Sequence, residues 1–206
     1  MSEKTETNIE RRAFTLDVCK IETRSANGHA KIIGHAAVFD QLSDNLGGFR
    51  ELIKPGAFAN ALKEDDVRAL FNHNPDFILG RSAAGTLSLQ EDQLGLAIEI
   101  SPPDTNTAND VLKSIQRGDI NQMSFGFRVR AGGEQWTEDE NGDVIRILTD
   151  LKLFDVSPVT FPAYPATDVA VRSLSAHKAK QASEDNQPSN LAHYRRRLRV
   201  VELNEL

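Results

Sequence analysis

The stretch Met123-Ser124-Phe125-Gly126-Phe127-Arg128-Val129 sets one serine in an apolar, alternating frame. At the two-residue period of a strand, Met123, Phe125, Phe127 and Val129 share one face, and Ser124, Gly126 and Arg128 share the other. Gly126, on the serine's own face, leaves open space beside the hydroxyl. A serine hydroxyl attacks a carbonyl only when a neighbouring base takes its proton. The stretch therefore asks for a partner, and by itself it describes a polar residue on a solvent-facing strand equally well. Ser124 lacks the Gly-x-Ser-x-Gly frame of the α/β-hydrolases, which makes those folds poor models.

Two further residues carry complementary chemistry. His73 lies in Asn72-His73-Asn74-Pro75, directly after the run Val67-Arg68-Ala69-Leu70-Phe71. Read as a buried strand, that run delivers His73 at its C-terminal edge, where Pro75 is expected to stop the ladder. A rigid strand would hold the imidazole there yet leave it reachable, although a single histidine also suits a structural or surface role. Asp155 is embedded between Phe154 and Val156. A carboxylate in apolar company is costly unless paired or hydrogen-bonded, and Arg128 or Arg130 would serve as simple ion-pair partners.

The elements that must position these residues read mainly as strands. Ala13 to Ile21 and Lys31 to Phe39 alternate on either side of the turn pair Asn27-Gly28, and are expected to pair as a hairpin. Pro55 and the spacing of Ala57, Phe58, Ala61 and Leu62 predict a short amphipathic helix. Thr86 to Gln90 and Leu94 to Ile100 predict a second hairpin across Glu91-Asp92-Gln93. Asp104 or Thr105 then caps a helix with Ala108, Val111, Leu112 and Ile115 on one face, and Gly118 stops it. Asn141-Gly142, inside the acidic turn 136–143, is the signal of a further hairpin leading into Val144 to Leu148. The long strand that follows from Leu151 carries Asp155 and leaves through Pro158, Pro162 and Pro165.

Composition limits the function classes. The chain has 206 residues, 39% hydrophobic and 26% charged, which suits one globular domain with a core and a tail. A formal charge of −6 argues against a nucleic-acid surface, because phosphate binding needs a basic footprint. One cysteine, Cys19, excludes an internal disulfide. The polar opening Met1-Ser2-Glu3-Lys4 has no signal-peptide core, and no later run approaches a membrane span; a cytosolic protein is the simplest expectation. His29 and His35 have no third ligand at a helpful spacing, so no metal site is expected.

Taken together, Gly34-His35-Ala36-Ala37-Val38-Phe39, Ile53-Lys54-Pro55-Gly56-Ala57-Phe58, Phe71-Asn72-His73-Asn74 with Leu79-Gly80-Arg81, Arg117-Gly118 to Phe127, and Asp155-Val156-Ser157-Pro158-Val159 to Pro162-Ala163 form an ordered set. In that order, from about Ala13 to Arg172, the chain resembles the prohead maturation proteases of HK97-type tailed bacteriophages, a family related to the herpesvirus assemblins. The resemblance implies an α+β fold, mainly an antiparallel β-barrel ringed by a few short helices. It implies a serine endopeptidase with Ser124 as nucleophile and His73 as base. The phage family often carries Glu where Asp155 stands, and assemblins use a second histidine. Asp155, shorter by a methylene, is the candidate third member. The chain order His, Ser, Asp differs from that of chymotrypsin, subtilisin and the α/β-hydrolases.

The resemblance further implies cleavage of the scaffold segment of the major capsid protein, and of the protease itself, inside the procapsid in the host cytoplasm. No cofactor is implied, and a homodimer is an option because assemblins form one. Two other functions stay open: a non-catalytic capsid assembly or scaffold factor on the same fold, and a general cytosolic peptidase or esterase. The expected organisation is a flexible lead-in over 1–12, a protease domain over 13–172 and a tail over 173–206. The tail reads as a linker followed by a short basic amphipathic segment with Leu191, Tyr194, Leu198 and Val201 beside Arg195-Arg196-Arg197. That segment would dock to a capsid partner or be removed by self-cleavage.

Overall fold

Alternating sequence becomes paired backbone over most of the chain. The structure, a computed structural model, describes residues 9–14, 21–26, 29–161 and 173–179. In chain order its elements are β1 (Glu10–Phe14), β2 (Ile21–Ala26), β3 (His29–Val38), β4 (Arg50–Ile53), α1 (Ala61–Glu64), β5 (Arg68–Phe71), β6 (Asn74–Arg81), β7 (Leu87–Glu91), β8 (Gly95–Ile100), α2 (Asn106–Arg117), β9 (Gln122–Val129), β10 (Glu134–Glu138), β11 (Val144–Leu148) and β12 (Leu151–Val159). They form sheets in the orders β1-β9-β12-β5-β6, β2-β3-β8-β7 and β10-β11-β4. The result is a mixed fold of mostly strands and few helices, and no backbone ladder among the described residues closes the sheets into a barrel.

Local signals account for many of these elements. In α2 the Thr105 hydroxyl accepts from the Ala108 amide at the N-cap, and Gly118 closes the other end at φ 84°. Its buried face is Ala108, Val111, Leu112 and Ile115, as the spacing predicts. The β7–β8 hairpin also forms as predicted.

Three expectations are corrected. The start of the expected hairpin strand, Ala13 and Phe14, pairs with β9 and not with β3: β1 is antiparallel to β9, placing Ala13 opposite Ser124, and β3 pairs with β2, which begins at Ile21. The helix expected from Pro55 is one turn, Ala61–Glu64, because the chain reverses first at Gly56, whose φ is +91°. Pro75 does not stop the ladder. It lies in β6 at the rim of its sheet, where a missing amide hydrogen costs no interior hydrogen bond.

The core sits under the serine-bearing strand. Met123, Phe125 and Phe127 are fully buried on one face of β9. Phe58 meets Phe125 edge-on at 5.8 Å, and Phe125 stacks on Phe127 at 5.0 Å. Ile32, Leu96, Ile100, Leu148, Leu151, Leu153 and the inner face of α2 join the same cluster, so all three sheets share it. Burying each large side chain contributes about 1.5–3 kcal/mol, which holds β9 firmly by its apolar face.

A buried ionic cluster borders the same face, with the Arg12 guanidinium 5.4 Å over the Phe127 ring. The Arg12 guanidinium donates to Glu10 at 2.7 Å and to Glu51 at 2.8 Å. Arg146 donates to Glu10 at 2.8 Å, to Glu51 at 3.1 Å and to Glu134 at 2.6 Å. Burial alone would raise the Glu10 carboxyl, but the hydrogen bonds and charges of Arg146 and Arg12 outweigh it and hold the group below its ordinary range. The cluster ties β1 to β4 and β11. Residues 10–12, expected to belong to the lead-in, are therefore strand, with Glu10 and Arg12 buried because each satisfies the other. At the other end, residues 173–179 are helical, Leu174 packs with Leu46 and Phe49, and the His177 ring stacks on Trp136 at 4.7 Å. The basic segment 191–206 lies outside the described residues.

Breaking this cluster leaves buried charge uncompensated. Glu10→Gln is expected to lower unfolding free energy by about 3–5 kcal/mol in urea titrations. The Glu10 carboxyl is depressed in the folded state, so its contribution is complete above its ordinary value of 4.5 and is lost as pH falls below it. Stability measured through that window should fall less steeply in Glu10→Gln than in the wild type.

Candidate active site

Three neighbouring strands bring the site together. In the order β9-β12-β5, β9 carries Ser124, β12 carries Asp155, and the turn after β5 carries His73. The two ladders run in different senses: β9 is antiparallel to β12, and β5 is parallel to it. The C-terminal end of β5 thus arrives beside Pro158, whose carbonyl accepts from the Asn72 amide at 3.0 Å.

Asp155 reaches the site face through an irregularity in β12. Leu151 pairs with Val129 and Leu153 with Phe127, on the core side. The next partner pair is Asp155 with Gly126, so Phe154 is an extra residue and the register shifts by one. Without that bulge Asp155 would share the face of Leu151 and Leu153 and point into the core. With it, Val156 and Pro158 continue the core face opposite Phe125 and Met123, while Asp155 and Ser157 stand opposite Gly126 and Ser124.

His73 comes from a tight hairpin rather than a strand end. Phe71 pairs with Asn74, and the two residues between them, Asn72 and His73, have φ of 54° and 56°. Two positive φ values in a two-residue loop define the turn that matches strand twist. Asn tolerates this conformation well; for His73 the left-handed backbone costs on the order of 1 kcal/mol. The Asn72 side chain holds the turn in place: its Oδ1 accepts from the Thr160 amide at 2.8 Å, and its Nδ2 donates to the Thr160 hydroxyl at 3.1 Å.

The three side chains meet in one line. His73 Nδ1 lies 2.5 Å from Asp155 Oδ1, and His73 Nε2 lies 2.7 Å from Ser124 Oγ. An ionised carboxylate only accepts, so the proton belongs on Nδ1, leaving Nε2 free to accept from the serine hydroxyl. Ser124 is completely buried, and His73 and Asp155 are each about one-tenth exposed at the side chain.

A family model described as caudovirus prohead serine protease matches residues 15–182. The chain belongs to that family. It is a serine protease of phage capsid maturation. Among solved structures, the bacteriophage T4 capsid assembly protease, gp21, aligns with a TM-score of 0.48 at 12% identity, over 74% of this chain and 97% of the other. No curated protein matches the chain.

Two sequence expectations about the protease's site change. The face of β9 that bears Ser124 is not solvent-facing, since Ser124 has no exposed surface. The space left by Gly126 is not open either: a Cβ built there would lie 2.3 Å from Asp155 Oδ2, so the missing side chain makes room for the carboxylate. The ion-pair alternatives for Asp155 find other partners. Arg130 donates to Asp65 at 3.0 Å, and the Arg128 guanidinium sits 5.5 Å over the Phe154 ring. His35 bonds Asp92 at 2.8 Å, and no group of three or more His, Cys, Asp or Glu among the described residues could hold a metal ion.

Gly126→Ala tests the spatial requirement. The added methyl must displace the Asp155 carboxylate; on the reading that Asp155 orients His73, a displacement near 1 Å costs about a hundredfold in rate. The expected outcome is a variant with native circular dichroism that shortens the capsid protein about a hundredfold more slowly.

Proposed function

We propose that Ser124, His73 and Asp155 are the catalytic triad of this protease, and that it cuts the scaffold segment of the major capsid protein within the procapsid. The observation that carries the reading is the continuous line from Asp155 through both ring nitrogens of His73 to the Ser124 hydroxyl. Ser124 Oγ attacks the scissile carbonyl while its proton passes to His73 Nε2. Asp155 keeps the imidazole in the required tautomer and stabilises the imidazolium. The tetrahedral intermediate collapses, the C–N bond breaks, and His73 returns the proton to the leaving amine. Water, deprotonated by His73, then releases the acyl group from Ser124.

Family membership supports capsid subunits as substrates, since a prohead protease works among them. Cleavage of the protease itself, a homodimeric form and residence inside the procapsid in the host cytoplasm belong to the same reading. The single core shared by three sheets supports an assemblin-like barrel as the fold type.

Co-expression with the capsid protein tests the proposal. Wild type should yield a shortened capsid protein, and Ser124→Ala and His73→Ala should leave it at full length. Equal processing by Ser124→Ala would reject the assignment; full-length capsid protein with the wild type as well would favour a non-catalytic assembly factor.

A further inference from the structure

The hydroxyl of Ser157 is as deeply buried as that of Ser124, and a buried hydroxyl needs a partner. It has one: Ser157 Oγ donates to Asp155 Oδ1 at 2.7 Å. That is the same oxygen that faces His73 Nδ1. Across the ladder, Ser157 stands directly opposite Ser124. The shift at Phe154 is what puts Ser157 on this face, two residues beyond Asp155.

An aspartate has two soft side-chain torsions, and rotation about the second exchanges its oxygens. A histidine on a short turn does not by itself prevent that rotation. A second donor, fixed to a rigid strand and aimed at the same oxygen, does. The other oxygen, Oδ2, occupies the place a side chain at Gly126 would take. Oδ1 is thus fixed by a donor and Oδ2 by shape.

We propose that Ser157 is a positioning residue of this protease: its hydroxyl fixes Asp155 Oδ1 on the line to His73 Nδ1, and it acts on the reaction only through Asp155. The inference rests on the triad assigned above. It departs from a merely structural role, in which the hydroxyl satisfies itself and its loss changes stability alone.

The test uses the full chain, an alkyl fluorophosphonate as probe, and the low-field proton resonance of the short His73 Nδ1 hydrogen bond. Ser157→Ala should keep a thermal midpoint near wild type, slow phosphonylation roughly tenfold to a hundredfold, the range for a lost hydrogen bond to a charged group, and move the low-field resonance. Ser157→Thr, which keeps the hydroxyl, should recover most of the rate. Labelling of Ser157→Ala at the wild-type rate would overturn the proposal, as would a rate loss matched by loss of folded protein. If the threonine variant does not fold, the resonance in Ser157→Ala decides: a shift supports the proposal and an unmoved line defeats it. If wild type itself resists the probe, the triad assignment fails, and the resonance comparison still decides whether Ser157 positions Asp155.

Discussion

A carboxylate that orients a histidine must come from the right face of its strand, and here that depends on one extra residue. Phe154 shifts the β12 register between Leu153 and Asp155, so a strand that begins with its odd positions in the core ends with its even positions there. Both halves stay apolar on the inside. The shift lets Asp155 and Ser157 stand with Ser124 and Gly126, and the short aspartate then spans to His73 because Gly126 has no side chain in the way. Chain topology supplies the rest: β5 runs parallel to β12, so the hairpin beyond it ends next to Pro158 and Thr160.

The molecule separates two kinds of buried polarity. The cluster of Glu10, Arg12, Glu51 and Arg146 is fully ion-paired and serves the fold, joining β1 to β4 and β11. At the site, Asp155 is held by His73 and by a serine hydroxyl. A carboxylate paired with arginine would have little reason to hold an imidazole. The strong pairs lie on the Phe125 and Phe127 face of the sheet, with Arg12 over the Phe127 ring, while Asp155 stands on the opposite face with Ser124.

Much of this was legible in the residues, where the signals are local. The caps of α2, the β7–β8 hairpin and the face of Ser124 opposite Phe125 and Phe127 all follow from short-range pattern. The pairing of β1 with β9 does not, since it joins residues more than a hundred positions apart and alternation says nothing of a partner. The His73 hairpin escaped because Asn72-His73 is not the Asn-Gly pair that marks such turns, and because a proline on a rim strand looks like a stop. The bulge left a readable trace: the apolar phase changes from Leu151 and Leu153 to Val156 and Pro158, which an unbroken strand cannot satisfy on one face. The role of Gly126 as a seat for a carboxylate required the geometry, because an absent side chain reads equally as access.

The central claim is that this register-shifted strand completes a working serine nucleophile. Intact-protein and peptide mass spectrometry after treatment with a fluorophosphonate test it most directly. The account predicts one adduct per chain, located on Ser124, and none in folded His73→Ala. A folded wild type that takes up no adduct, or one that carries it on another serine, would contradict it.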